Sequence, residues 1–230
     1  MGSITGHNYV GGLAGTNYGD IVGCRAVGSV SGHAKIGGLI GGNFARVSNC
    51  YSMGSASATV DDVGGWVGYH ETGGEISKCF STGQASGSSF VGGLLGESWG
   101  VVSDSFWDVN SSGMDTSDGG TGLTTVEMQT RSTFTDAGWD FVGELINGPN
   151  DIWDICEGTN YPKLVWSIPA GDFVCPDGVT LVDYSCFAGS WYAGPGDGNW
   201  DPNCDISEPN DNVIDGLDLK VFVGNWLEGI

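Results

Sequence analysis

Across residues 1–105 apolar and small polar positions alternate in short runs, as in Gly28-Ser-Val-Ser-Gly32 and Ser55-Ala-Ser-Ala-Thr-Val60. A period of two predicts β-strands. Glycines punctuate the runs every five to ten residues, a spacing that suits tight corners with positive φ. One phrase occurs four times: Val10-Gly-Gly-Leu-Ala-Gly15, Ile36-Gly-Gly-Leu-Ile-Gly41, Val63-Gly-Gly-Trp-Val-Gly68 and Val91-Gly-Gly-Leu-Leu-Gly96. The starts lie 26, 27 and 28 residues apart. A fixed period in the twenties predicts a β-solenoid, with one coil of short strands per repeat. Four coils at the inter-strand spacing make a stack roughly 20 Å tall.

Equivalent residues of successive coils should then form ladders. Leu13, Leu39, Trp66 and Leu94 form one, and Ile21, Val47, Ile76 and Val102 a second. Cys24, Cys50, Cys79 and Ser105 form a third. A metal or disulfide reading of that third ladder is weaker than one of stacked, buried thiols acting as small hydrophobes.

These pieces, V-G-G-L-h-G and C-[YF]-[ST]-x-G, resemble the GLUG repeat of bacterial surface and secreted proteins, over about residues 8–106. The resemblance extends through Ser105-Phe-Trp-Asp108, Gly119-Gly-Thr-Gly-Leu-Thr-Thr125 and Tyr161-Pro-Lys-Leu164, which look like the segment that follows such repeats. It implies adhesion or surface display without a general catalytic role. In residues 106–168 the repeat lapses and aromatics gather, among them Phe106, Trp107, Phe134, Trp139, Phe141, Trp153, Tyr161 and Trp166. A solenoid end is an exposed sheet edge, so this segment is expected to cap the last coil. A sugar-binding platform is the competing role. Thr124–Thr130 reads as a short helix opened by a capping box. No cap precedes Asn8, so the first coil is expected either to continue upstream or to meet another molecule end to end.

Residues 169–230 differ in kind. From Asp172 onward there are eleven acids and one base. Phe187-Ala-Gly-Ser-Trp191 matches Phe222-Val-Gly-Asn-Trp226 at an offset of 35 residues, as Asp183 matches Asp218 and Val179 matches Ile214. Each half reads as an acidic loop followed by an apolar helix. Calcium takes six to eight hard oxygens from such a loop. In the second loop Asp205, Asn210, Asp211 and Asp218 could supply side-chain oxygens, with the Val213 carbonyl and Asp215 or water. The first loop offers Asp172, Asp177 and Asp183, but Val174 and Pro176 stand where further acids are wanted. The second loop is therefore expected to bind one Ca²⁺, and the first to be weak or empty. The pair resembles a type I dockerin, an EF-hand-type module. That resemblance implies two calcium ions and a cohesin-like protein partner bound through helix faces.

The formal net charge is −21. Residues 1–105 carry seven acids and four bases, and the remainder 21 acids and three bases. So acidic a surface disfavours nucleic acid and anionic lipid. No apolar run approaches the roughly 20 residues that span a bilayer, so membrane insertion is not expected. Seven Cys without a C-x-x-C pair argue against a zinc or thioredoxin-like site. Cys175 and Cys204 each precede a loop core and are the expected bridge, with Cys186 in the core and Cys156 lacking an evident partner. His7, His33 and His70 have no Ser or Asp constellation around them, and the bases Arg25, Lys35, Arg46 and Lys78 lie at unmatched positions, so an enzyme is not expected.

The sequence thus predicts a mainly β chain: solenoid over 1–105, cap over 106–168, dockerin-like calcium module over 169–230. The expected function is that of a secreted, cell-surface structural or adhesion protein. Its calcium-loaded module would dock to a cohesin-like partner or to the next copy in a head-to-tail filament. The alternative is a glycan-binding adhesin, or an accessory module of a polysaccharide-degrading system.

Overall fold

The computed structural model describes residues 2–226. It is mainly β, with a β-solenoid of about four turns and few helices. Two compact units are present, residues 1–139 and 140–230. The segment 106–168, expected as a single cap, is therefore divided between them.

In the first unit every coil contributes a strand to each of five parallel sheets. Val10 pairs with Ile36, Ile36 with Val63 and Val63 with Val91, so the glycine phrases lie in register. The Ile21, Val47, Ile76 and Val102 ladder forms as expected. At the fourth residue of each glycine phrase the amide of Leu13 donates to the Leu39 carbonyl, that of Leu39 to Trp66 and that of Trp66 to Leu94. Leu39, Trp66 and Leu94 are fully buried, whereas Leu13, on the first coil, is 45% exposed.

Two positions of each coil have a left-handed backbone, the first inside a strand and the second at a bend. Tyr9, Lys35, Asp62 and Phe90 occupy one at φ 49–60°, and Gly23, Asn49, Lys78 and Asp104 the other at φ 47–63°. Glycine takes one of these eight left-handed positions, contrary to expectation, although Gly12, Gly38, Gly65 and Gly93 stand at bends between strands. The paired glycines serve close approach instead: a Cβ on Gly64 would fall on the carbonyl oxygens of Val67 and Leu94, and one on Gly37 on that of Ile40.

The cysteine ladder also does more than pack. Each Sγ sits beside the carbonyl two residues before it, at 3.1 Å for Cys50 to Ser48 and 3.2 Å for Cys79 to Ser77. It also accepts from the coil below, Cys24 N–H to Cys50 Sγ at 3.2 Å. Ser105 Oγ repeats the pattern, donating to Ser103 O and accepting from Cys79 N–H. A short side chain that both donates and accepts fits here, which explains why Ser can replace Cys.

After Phe106–Asp108 come three short helices, α1 (Val109–Ser112), α2 (Thr125–Met128) and α3 (Arg131–Thr135). Thr124 and Glu127 form the expected capping box of α2. The edge of the last coil is met by polar groups: Ser117 Oγ accepts from Leu94 and Leu95 N–H, and Asp118 Oδ2 from Ser98 N–H. The aromatics Phe134 and Trp139 pack elsewhere, against the Phe80 and Phe106 rungs of a neighbouring sheet.

In the second unit Trp153–Asp154 pairs antiparallel with Lys163–Leu164. Helices α4 (Leu181–Gly189) and α5 (Gly216–Gly224) follow. Phe187 and Phe222, at matching positions of the two helices, stack at 5.2 Å within a core that includes Val179, Cys204 and Ile214. Ile214 N–H donates to Ala193 O, and Tyr192 N–H donates to Ile214 O. The disulfide joins Cys156 to Cys175, not Cys175 to Cys204. Sequence spacing does not fix Cα separation, which is 5.0 Å for the observed pair.

Candidate metal centre

The two acidic loops are built on one plan. In each, a buried Asp at the third position of the helix holds the loop's entrance through backbone amides. Asp183 Oδ1 accepts from Phe173 and Val174 N–H at 2.8 and 3.0 Å, and its Oδ2 accepts from the Thr180 amide and hydroxyl at 2.9 Å. Asp218 Oδ1 accepts from Ile206 and Ser207 N–H at 2.8 Å, and its Oδ2 from Asp215 N–H at 2.9 Å. Burial alone would push the Asp218 carboxyl up, but the amides of Asp215, Ser207 and Ile206 outweigh it and hold the group below its ordinary value.

The first Asp of each loop also matches its counterpart. Asp172 Oδ2 accepts from Gly178 N–H at 3.0 Å and Asp205 Oδ2 from Asn212 N–H at 2.9 Å. The other oxygen of each, Asp172 Oδ1 and Asp205 Oδ1, is buried without a hydrogen-bond partner. Ser207 Oγ, at the third position of the second loop, is buried and unpartnered too. Leaving such oxygens bare is costly, and a hard cation is a partner that acceptor-only carboxylates can share. The residues present therefore fit a hard cation.

The loops differ in how tightly their acids gather. Oxygens of Asp172, Asp177 and Asp183 all lie within 4.8 Å of one another. Among the described residues the second loop makes no such group, although it was expected to be the better site. Its other acids face other work: Asp215 Oδ1 caps α5 by accepting from Leu217 N–H, and Asp211 Oδ1 accepts from Val213 N–H. Asn210 Nδ2 donates to the Asp205 carbonyl at 2.6 Å, and Val213 is 40% exposed. In the first loop burial, together with the charges of Asp183 and Asp177, pushes Asp172 up to about 6 against the pull of Gly178 N–H and Lys163. Burial is the leading cause, and the neighbouring carboxylates add to it. Ser207 was missed in the sequence because its hydroxyl is no acid; its place two residues after Asp205 was the available signal.

No family model matches the chain. It is 40% identical over 112 residues to a protein of Evansella cellulosilytica described as "Putative Gly-rich membrane protein". The match covers 46% of this chain and 12% of that protein, so the chain spans a small part of its relative's length. No solved structure matches. Among the described residues no helix is long and apolar enough to cross a membrane.

Proposed function

We propose that the chain is a non-enzymatic structural protein of the bacterial cell surface, in which the solenoid is a rigid spacer and residues 169–230 form a calcium-loaded docking module. The carrying observation is the pair of orphaned oxygens, Asp172 Oδ1 and Asp205 Oδ1, at corresponding places in a duplicated loop. Asp172, Asp177 and Asp183 would hold one Ca²⁺; Asp205, Ser207 and Asp218, with Asn210, Asp211, Val213 and Asp215 near by, would hold a second. A bound ion supplies positive charge where carboxylates repel, and so fixes the loops that set α4 and α5.

Docking is supported by apolar side chains that the duplication repeats on the surface: Val182 and Leu217, at matching positions, are 57% and 56% exposed. Leu181, Tyr184 and Val223 extend the apolar surface of the helices. The partner is a cohesin-like protein or the next copy of this chain. In the same reading the segment after Asp108, which hydrogen-bonds the edge of the last coil, is the solenoid's cap. Sedimentation of the full chain in calcium, and again after chelation, tests self-docking. Calcium-dependent polymers support it; a monomer in both states leaves the heterologous partner as the docking target.

A second reading is favoured by the placement of aromatic side chains. Of nine aromatics in residues 1–105, Tyr51, Trp66 and Phe80 are buried. The other six, Tyr9, Tyr18, Phe44, Tyr69, Phe90 and Trp99, lie in or beside two adjoining sheets, those of Asn8–Gly11 and Ala14–Asn17. Phe90 and Trp99 line one groove together with Glu97, Ser117 and Asp118. Rings beside hydroxyl-binding carboxylates suit an uncharged glycan. Glycan binding that survives calcium chelation and is lost in Trp99→Ala would establish it.

A further inference from the structure

The second unit holds four cysteines, Cys156, Cys175, Cys186 and Cys204, and the bond between the first two leaves the others over. Those two are neighbours. The sulfurs of Cys186 and Cys204 and a carboxylate oxygen of Asp201 all lie within 4.8 Å of one another. Both cysteines border the same core of Phe187, Ile214 and Phe222, with Cys204 fully buried and Cys186 half-buried. Cys186 lies on α4, in the first half of the duplication; Cys204 ends the turn Pro202–Cys204, directly before Asp205. We infer that Cys186 and Cys204 form a second disulfide, which ties the helix of the first half to the entrance of the second loop.

The inference settles the odd cysteine count. Cys24, Cys50 and Cys79 are engaged in the solenoid ladder, each Sγ held by backbone groups of its own corner. The remaining four make two pairs. A unit in which Cys156 and Cys175 are joined must meet an oxidant, and any oxidant able to join them can join an adjacent pair. The bond adds a covalent link where the duplicated halves are joined by packing, by two backbone hydrogen bonds around Ile214 and by that from Asn225 Nδ2 to the Ala170 carbonyl. Asp205, next in the chain after Cys204, inherits that restraint. The inference stands apart from the calcium reading, since it needs no ion.

The chemistry is thiol–disulfide exchange with a small-molecule or protein disulfide. Cys186 Sγ lies 3.9 Å from Asp201 Oδ2, and its proton leaves to solvent. The Cys186 thiolate attacks one sulfur of the oxidant, whose S–S bond breaks and releases one half as a thiolate. Cys204 then loses its proton and attacks Cys186 Sγ, expelling the second half. Two thiols of the chain are oxidised by two electrons, and one oxidant disulfide becomes two thiols. Cys186 is the more exposed of the two and Cys204 is buried, so Cys186 meets the oxidant first.

The test is thiol mapping of the full chain after equilibration with oxidised glutathione. N-ethylmaleimide is added during denaturation, without reductant, so that buried thiols are reached. The expected result is label on Cys24, Cys50 and Cys79 only, with a linked peptide pair containing Cys186 and Cys204 that separates on reduction. Label on both Cys186 and Cys204, or a link from either to another cysteine, overturns the inference. A thiophilic metal shared by the two sulfurs would be lost on denaturation and give that labelled outcome.

Discussion

Lys35 Nζ stands 2.6 Å from Asp62 Oδ2, joining the same left-handed strand position of two successive coils. The Asp62 side chain is 6% exposed, and the ammonium also sits 3.7 Å from the centroid of the Tyr69 ring. Removing the cation leaves a buried carboxylate without its partner. Lys35→Met is therefore expected to lower the stability of the solenoid by roughly 1.5–3 kcal/mol in urea unfolding. Asp62→Asn, which tolerates the left-handed backbone and stays neutral, should cost less. Equal effects of the two variants would mean the ion pair carries little.

The glycines separate two kinds of requirement. Gly64→Ala forces a methyl onto two backbone carbonyls and is expected to cost about 3 kcal/mol, seen as a lowered urea midpoint. Gly73 has φ +91° but open space around it, so Gly73→Ala should cost only about 1 kcal/mol through backbone strain. If Gly73→Ala proved the worse variant, close approach between coils would not be the reason for the repeated phrase.

The sulfur ladder makes a chemical forecast. Cys50→Ser keeps an atom that accepts from Cys24 N–H and donates to Ser48 O, as Ser105 does one ladder position away from Cys79. It should be close to neutral. Cys50→Val fills similar space but strands the Cys24 amide, and should cost roughly 1–3 kcal/mol. Comparable melting of both variants would restore the simple reading of buried, hydrophobic thiols.

Asp172 sets an opposite pH dependence in the cation-free and calcium-loaded protein. Its folded value of about 6 lies above the ordinary 3.8, so the unfolded chain ionises first as pH rises. Between about 4 and 6 the folded state holds the extra proton, and stability contributed by this group falls as pH rises through that window. The side chain is partly solvated, so the loss is small, about 1 kcal/mol. Calcium must displace the same proton, so affinity should drop as pH falls below 6. Asp172→Asn should stabilise the chelated protein at pH 7 while weakening calcium binding. Stability of the chelated protein that rises from pH 4 to 6 in the wild type, and not in Asp172→Asn, would reverse the assigned sign.

The solenoid was legible because each ladder repeats similar residues at nearly one spacing, and four copies average out exceptions such as Trp66 among leucines. What the glycines do was not legible, since a positive φ and a close approach select the same residue. The gathering of the acids in the two loops was not legible for a different reason. Counting acids favoured Asp205–Asp218, but Asp211 and Asp215 spend an oxygen on neighbouring amides, and Asp177 turns out to meet Asp172 and Asp183. The Cys156–Cys175 bond joins residues on either side of the linker at Ser167–Gly171, so a boundary drawn by composition concealed it.

Calorimetric titration of calcium into the chelator-treated full chain tests the central claim most directly, with an Asp172→Ala, Asp205→Ala double variant beside it. Saturable binding by the wild type, abolished in the double variant while the solenoid's far-UV spectrum is unchanged, is the expected result. Absence of binding by the wild-type chain, or undiminished binding by the double variant, would contradict it.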